Sequence, residues 1–148
     1  MKRYKNNLVI YMLLRYNYFI KGDEFMQIIY HGSYCEVKTP KVMEGKYQKD
    51  FGTGFYCTLL EEQAIRWAKK YETSIVNCYE YNQDENLKIK EFTIMTEEWL
   101  DFIINCRLGN KHDYDIVIGA MADDQVYNYV TDLINNRITR KAFWELAK

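Results

Sequence analysis

His31 is one of two histidines in the chain, and it opens the segment His31-Gly32-Ser33 directly behind the apolar run Met26–Tyr30. An imidazole at the end of a short strand can reach a cleft and accept, donate or transfer a proton near neutral pH. A surface or packing role would serve a single histidine equally well. Further along, Phe51-Gly52-Thr53-Gly54 leads into Phe55-Tyr56-Cys57-Thr58, with glycines where a backbone must bend or come close to something. A third group, Asp123-Asp124-Gln125, follows an apolar run ending at Gly119 and precedes a helical pattern. Its carboxylates and amide could face the same cleft as His31, and a plain helix cap explains at least one of them. Cys35 stands close behind His31, but spacing alone does not make a nucleophile and base pair. His112, between Lys111 and Asp113, is expected in solvent.

Other chemistries lose their support on pattern. The cysteines at 35, 57, 78 and 106 form no Cys-x-x-Cys pair, so neither a zinc cage nor a redox dithiol is expected, and no metal site is assigned. No Gly-x-x-x-x-Gly-Lys-Ser/Thr or Gly-x-Gly-x-x-Gly loop is present to cradle phosphates. Reduced thiols fit a cytoplasmic protein.

The elements that must position these residues are legible in part. Met26–Tyr30 reads as a buried strand stopping in a polar turn at His31, and Phe55–Thr58 as a second strand. Thr58 and Glu61 have the form of a capping box, followed by the helical stripe Ala64, Ile65, Trp67 and Ala68 up to about Tyr71. Residues 74–81 and 86–92 both alternate with period two around a turn, which predicts a hairpin. Thr96 caps a helix closed by Gly109, residues 115–119 form a central strand, Asp123 or Asp124 caps a helix to about Asn135, and Thr139 starts another. Strands and helices do not alternate in strict order, which favours α+β over a doubly wound sheet.

With 148 residues, one proline and 48% hydrophobic side chains, the chain suits one compact domain. Twenty basic residues against 21 acidic ones leave no overall field to steer it onto nucleic acid or an acidic membrane. Leu8–Ile20 is apolar and aromatic but too short to span a bilayer and lacks a small-x-small cleavage site, so we expect a short helix there. Residues 1–25 then form a helical appendage, available for a homo-oligomer or another protein, to a domain over residues 26–148, and Met26 is a second plausible start.

Tyr30-His31-Gly32-Ser33 and Phe51-Gly52-x-Gly54-Phe55-Tyr56-Cys57-Thr58, followed by Gln63-Ala64 and Trp67-Ala68, resemble the two N-terminal signatures of ADP-ribosyltransferase-like domains, as in poly(ADP-ribose) polymerases and diphtheria-type toxins. The stretch from Met26 to Lys148 is also similar to a bacterial domain-of-unknown-function family, number three-nine-nine-zero, through Glu98-Trp99-Leu100-Asp101-Phe102, Tyr114-Asp115-x-Val117-Ile118-Gly119 and Ala122-x-Asp124-x-Val126. The resemblance implies a split mixed sheet with flanking helices and a site for NAD as co-substrate lined by His31, Gly32, Ser33, Gly54 and Tyr56. His31 would bond a ribose hydroxyl, backbone near Gly32 the nicotinamide amide, and the Tyr56 ring would stack on the nicotinamide. Cleavage of the glycosidic bond would develop a ribosyl cation, which a nearby carboxylate or amide would stabilise. Active relatives place a Glu or Gln at the start of a late strand. Here that strand is not found before Lys148, and Asp124 and Gln125 are the substitutes. The implied activity is ADP-ribosylation of a macromolecule, as in a toxin with its antitoxin or an anti-phage effector. The alternative is a module that binds NAD or ADP-ribose, or a partner, without turnover.

Overall fold

The computed structural model describes residues 8–11, 27–45, 49–82 and 84–148. Within them the elements are, in order, β1 (Leu8–Tyr11), β2 (Gln27–Ser33), β3 (Phe55–Thr58), α1 (Glu61–Ala68), β4 (Ile75–Tyr81), β5 (Ile89–Phe92), α2 (Glu97–Arg107), β6 (Ile116–Gly119), α3 (Asp124–Ile134) and α4 (Arg140–Leu146). The strands form one mixed sheet in the order β4-β2-β3-β1-β6-β5. β1 runs parallel to both β3 and β6, β5 is parallel to β6, and β2 is antiparallel to β3 and β4. This is the expected α+β class.

Register puts α1 and α2 on one face. Tyr56 and Val117 both align with Val9 and so point to the same side of the sheet, where Val117 packs with Trp99, Leu100 and Ile103 of α2. Tyr30 pairs with Thr58, and Gly32, two residues on, meets α1 on that same side. Period two then sends Ile29, Phe55 and Cys57 to the opposite face, under Val37, Leu59, Tyr79 and Tyr81. Thr96 and Asp123 cap α2 and α3 by accepting hydrogen bonds from the first-turn amides, and Gly109 ends α2 at φ 87°.

Four expectations are corrected. Over Leu8–Tyr11 the apolar segment is a strand, and the rest of the expected helix, residues 12–20, lies outside the described residues. Leu-Val-Ile-Tyr is a continuous apolar run, as a strand inside a parallel sheet should be, and such a run has no period that separates it from a buried helix. Because β1 joins β3 to β6, the expected split of the sheet is closed. β4 and β5 do not form a hairpin but lie at opposite edges, each with one partner. Alternation records one buried face and is silent about the neighbour. Thr58 does not cap α1, whose N-cap is Leu60; its hydroxyl donates to Gln63 Oε1 at 2.7 Å and accepts from the Leu60 amide.

One buried ion pair locks the helical layer to the segment ahead of β3. Asp50 and Arg107 have side chains only 2% and 6% exposed. Arg107 Nε donates to Asp50 Oδ1 at 2.7 Å, with Nη2 on the same oxygen. Asp50 Oδ2 accepts from the Ala122 amide at 2.8 Å. Arg107 Nη1 donates to the Tyr127 carbonyl, and its guanidinium lies 3.9 Å from the Tyr127 ring centre. Asp50→Ala would leave the guanidinium buried and unpaired, a loss we expect to be about 3–5 kcal/mol. Asp113→Ala breaks only the exposed pair with Lys88 and should leave the denaturation midpoint within error. Urea unfolding of both variants checks the contrast, and equal midpoints would refute it.

Candidate functional site

β2 and β3 are paired at Tyr30 and Thr58 alone, whereas β2 stays in register with β4 through Ser33. Past Tyr30 the β2–β3 ladder is not continued, and His31 fills the parting. The turn expected at His31 is therefore strand: His31, Gly32 and Ser33 pair with Asn77, Val76 and Ile75. A polar tripeptide can remain in a ladder when its partner strand extends as far, and that partner lies more than forty residues away in the chain.

The His31 ring bonds through Nδ1 to the Tyr56 carbonyl oxygen at 2.7 Å. A carbonyl accepts only, so Nδ1 carries the proton and Nε2 of the neutral ring is an acceptor. Burial holds this imidazole below its ordinary value, and the charge of Lys49 lowers it further, against the opposing effect of the carbonyl bond. The ring rests on Phe55, centroids 4.3 Å apart. The site thus presents a neutral imidazole whose tautomer is set by the backbone.

Tyr56 aligns with the opposite side of the sheet from Phe55. Its ring is buried, its hydroxyl donates to the Gly52 carbonyl at 2.7 Å, and Lys49 Nζ sits 4.2 Å from the ring centre. Burial and the neighbouring charge of Lys70 both lower the Lys49 ammonium from its ordinary value. Lys49 thus covers a face of the buried Tyr56 ring and would repel a second cation brought there. Gly52, at φ 76°, makes the bend that aims its carbonyl at Tyr56. Gly54 follows in the same loop, half-buried, immediately before β3. Ser33 is buried, with Cys35 Sγ 3.9 Å from its hydroxyl.

Gly32 has a packing reason to be glycine. A Cβ there would stand 2.1 Å from the Ala64 carbonyl oxygen and 2.8 Å from the Ala68 nitrogen, both backbone atoms of α1. Its bare backbone lets α1 close onto β2.

Along the β2–β3 parting, His31 and Ser33 lie on the Phe55 face of the sheet, Gly32 and Tyr56 on the helical face, and Gly54 in the loop before β3. Asp124 and Gln125 are elsewhere. Both are exposed in the first turn of α3, behind β6, and neither side chain makes a hydrogen bond among the described residues. Three strand spacings separate β2 from β6, about 14 Å laterally at the usual interval. Among the described residues no group of three His, Cys, Asp or Glu side chains could hold a metal ion. Cys57 and Cys106 are buried thiols pushed up to about 12 by desolvation, which leaves them protonated and unreactive at neutral pH.

Several positioning residues escaped the sequence reading. Asn77, 7% exposed, accepts from the Val37 amide at 2.8 Å and donates to the carbonyls of His31 and Cys35, tying the loop after β2 to β4. Its place at an inward position of an alternating strand was the available signal. His112, expected in solvent, is half-buried: Nε2–H donates to the Phe51 carbonyl at 3.1 Å, Nδ1 accepts from the Tyr114 amide, and the ring lies 5.1 Å from Phe102. Flanking charges do not report what an intervening ring packs against.

A family model described as Protein of unknown function (DUF3990) matches residues 27–148. The chain belongs to that family. No curated protein matches the DUF3990 chain, and no solved structure does. Among its described residues no helix is long and apolar enough to cross a membrane.

Two measurements probe the parting. Gly32→Ala must push α1 off β2, and we expect about 3 kcal/mol of lost stability in urea unfolding; a variant as stable as the parent would disprove the close approach. His31 takes up a proton more readily unfolded than folded, so its contribution favours the folded state above its unfolded value of 6.5 and is lost as pH falls through that value towards its lowered folded one. Stability measured between about pH 5 and 7 should therefore rise with pH, and His31→Asn should flatten the slope. An unchanged slope in that variant would mean that another group titrates.

Proposed function

We propose that the DUF3990 chain binds NAD at the parting between β2 and β3, in the manner of an ADP-ribosyltransferase-like domain. The observation that carries the reading is the His31 tautomer. With Nδ1–H committed to the Tyr56 carbonyl, Nε2 is left to accept a hydrogen bond from a hydroxyl, the chemistry that a ribose offers. Tyr56 serves this site through its carbonyl, its ring being buried under Lys49 on the other face of the sheet. One further feature fits a dinucleotide: Lys49 and Lys70 lie close enough to disturb one another, giving local positive charge suited to a pyrophosphate in a chain whose net charge is −1.

Transfer of ADP-ribose to a macromolecule makes a further demand, for a carboxylate or amide beside the ribosyl carbon. Asp124 and Gln125 have the right chemistry and no contact that draws them towards His31. The arrangement therefore supports recognition of NAD more strongly than turnover, and a module that binds NAD or ADP-ribose without transfer is the second reading.

Titrating the purified chain with NAD, while following free nicotinamide and label transfer to a cell lysate, tests both. Binding should weaken at least about tenfold in His31→Ala, the size of one good hydrogen bond to a ligand. It should persist in Tyr56→Phe, which keeps the backbone carbonyl that orients His31. Nicotinamide release that His31→Ala abolishes would identify a transferase, and binding without release would identify the module. Binding indifferent to His31 would eliminate the site.

A further inference from the structure

Tyr34 and Tyr71 are exposed over 59% and 45% of their surfaces, and their rings meet edge to face with centroids 5.5 Å apart. Single apolar side chains on a surface need no explanation, but two rings brought together from different parts of the chain form a platform. Register places it. Gly32 lies under Ala64 and Ala68 of α1, and Tyr34, two residues on, meets Tyr71 three residues beyond Ala68 on that same helical side of the sheet. The turn that carries Tyr71 is pinned: its amide donates to the Ala68 carbonyl, and the Ser74 hydroxyl lies 3.1 and 3.2 Å from the carbonyl oxygens of Ala68 and Tyr71.

Cations border the rings. Residues 66–72 hold Arg66, Lys69 and Lys70 against the single acid Glu72, and all three cations are exposed. The negative end of the α1 dipole accounts for these three. It does not account for Lys49, which comes from the segment ahead of β3, covers the Tyr56 ring at 4.2 Å, and is destabilised by burial and by the charge of Lys70. An anion placed between the two lysines would remove the cost of holding them together.

We propose that this rim binds a single-stranded nucleic acid, its bases stacking on Tyr34 and Tyr71 and its phosphates held by Arg66, Lys69, Lys70 and Lys49. Rings and cations select the ligand together. An acidic peptide satisfies the cations but brings no ring to the exposed aromatic faces, and a duplex keeps its bases stacked on one another, whereas unpaired bases stack on any aromatic face. With a net charge of −1 the chain supplies no long-range steering, so the attraction is local and sensitive to salt. Lys49 and Lys70 are also the cations offered above to a pyrophosphate, but the rim does not rest on the NAD reading, because His31 stacks on Phe55 at the other face of the sheet.

Fluorescence anisotropy of a labelled thymidine oligonucleotide of about twelve nucleotides, titrated with the full chain, tests the rim. The logarithm of the binding constant should fall against the logarithm of salt with a slope of about −3, the value for four neutralised phosphates, and Lys69→Gln should make the slope shallower by about 0.7. Tyr71→Leu should weaken binding at least about fivefold, the least expected from losing one stacked base, and Tyr71→Phe should not. His31→Ala should bind the oligonucleotide as the parent does, whatever it does to NAD. The proposal is overturned by no binding at about 50 mM salt, by equal affinity for the same strand in a duplex or for a polyglutamate peptide of equal charge, or by parental binding in Tyr71→Leu. An unchanged slope in Lys69→Gln, or loss of binding in His31→Ala, would overturn it as well.

Discussion

The Asp50–Arg107 pair is the constraint on which the site depends. A charge buried in a protein is tolerated only when every lone pair and proton around it is answered, and here the partners come from four places in the chain: Asp50 ahead of β3, Arg107 at the end of α2, the Ala122 amide after β6, and Tyr127 on α3. Those demands fix where residues 50–52 run. Phe51 is thereby pressed into the core beside Phe92, and its carbonyl is reached by His112. Gly52 then bends so that its carbonyl meets the Tyr56 hydroxyl. Tyr56 in turn presents its own carbonyl to His31. A chain of directional contacts thus runs from a salt bridge in the helical layer to the tautomer of an imidazole on β2.

The same logic explains the glycines without appeal to a ligand. Gly32 admits α1 and Gly52 makes a bend. Gly119 lets Phe92 and Phe51 approach the end of β6, since a Cβ there would stand 3.1 Å from Phe92 Cβ. These glycines can therefore be needed for packing alone. The His31 tautomer likewise follows from a backbone bond, since a neutral imidazole that donates through Nδ1 leaves Nε2 as an acceptor.

What the sequence made legible follows period and capping chemistry. Thr96, Asp123 and Thr139 cap their helices as their positions before acidic or apolar helical stripes implied. The strands at residues 55–58 and 116–119 were readable from short apolar runs bounded by turn residues. Of the candidate site, His31, Gly32, Ser33, Gly54 and Tyr56 could be named, but not that the register would send Gly32 and Tyr56 to the face opposite His31 and Ser33. Pairing was not readable: nothing local in Ile75–Tyr81 names β2 as its neighbour, and nothing in Leu8–Tyr11 names β3 and β6. Asp50 and Arg107 stood among 21 acidic and 20 basic residues with no spacing to join them, since the contact spans 57 positions.

β1 has a kinetic consequence. It is the seam between β4-β2-β3 and β6-β5, and its four residues bond to strands drawn from the middle and the far end of the chain. Both ladders of the seam are in place only when β3 and β6 lie two strand widths apart, and each closes a long loop. The entropy of closing those long loops is met before any seam hydrogen bond repays it. Each half of the sheet has helical cover, α1 over β4-β2-β3 and the core of α2 and α3 against Phe92 and Val117 of β5 and β6. The shortest stitching in the sheet is instead the single β2–β3 pair at Tyr30 and Thr58, so local opening is expected there before it reaches the four-residue ladders of β1.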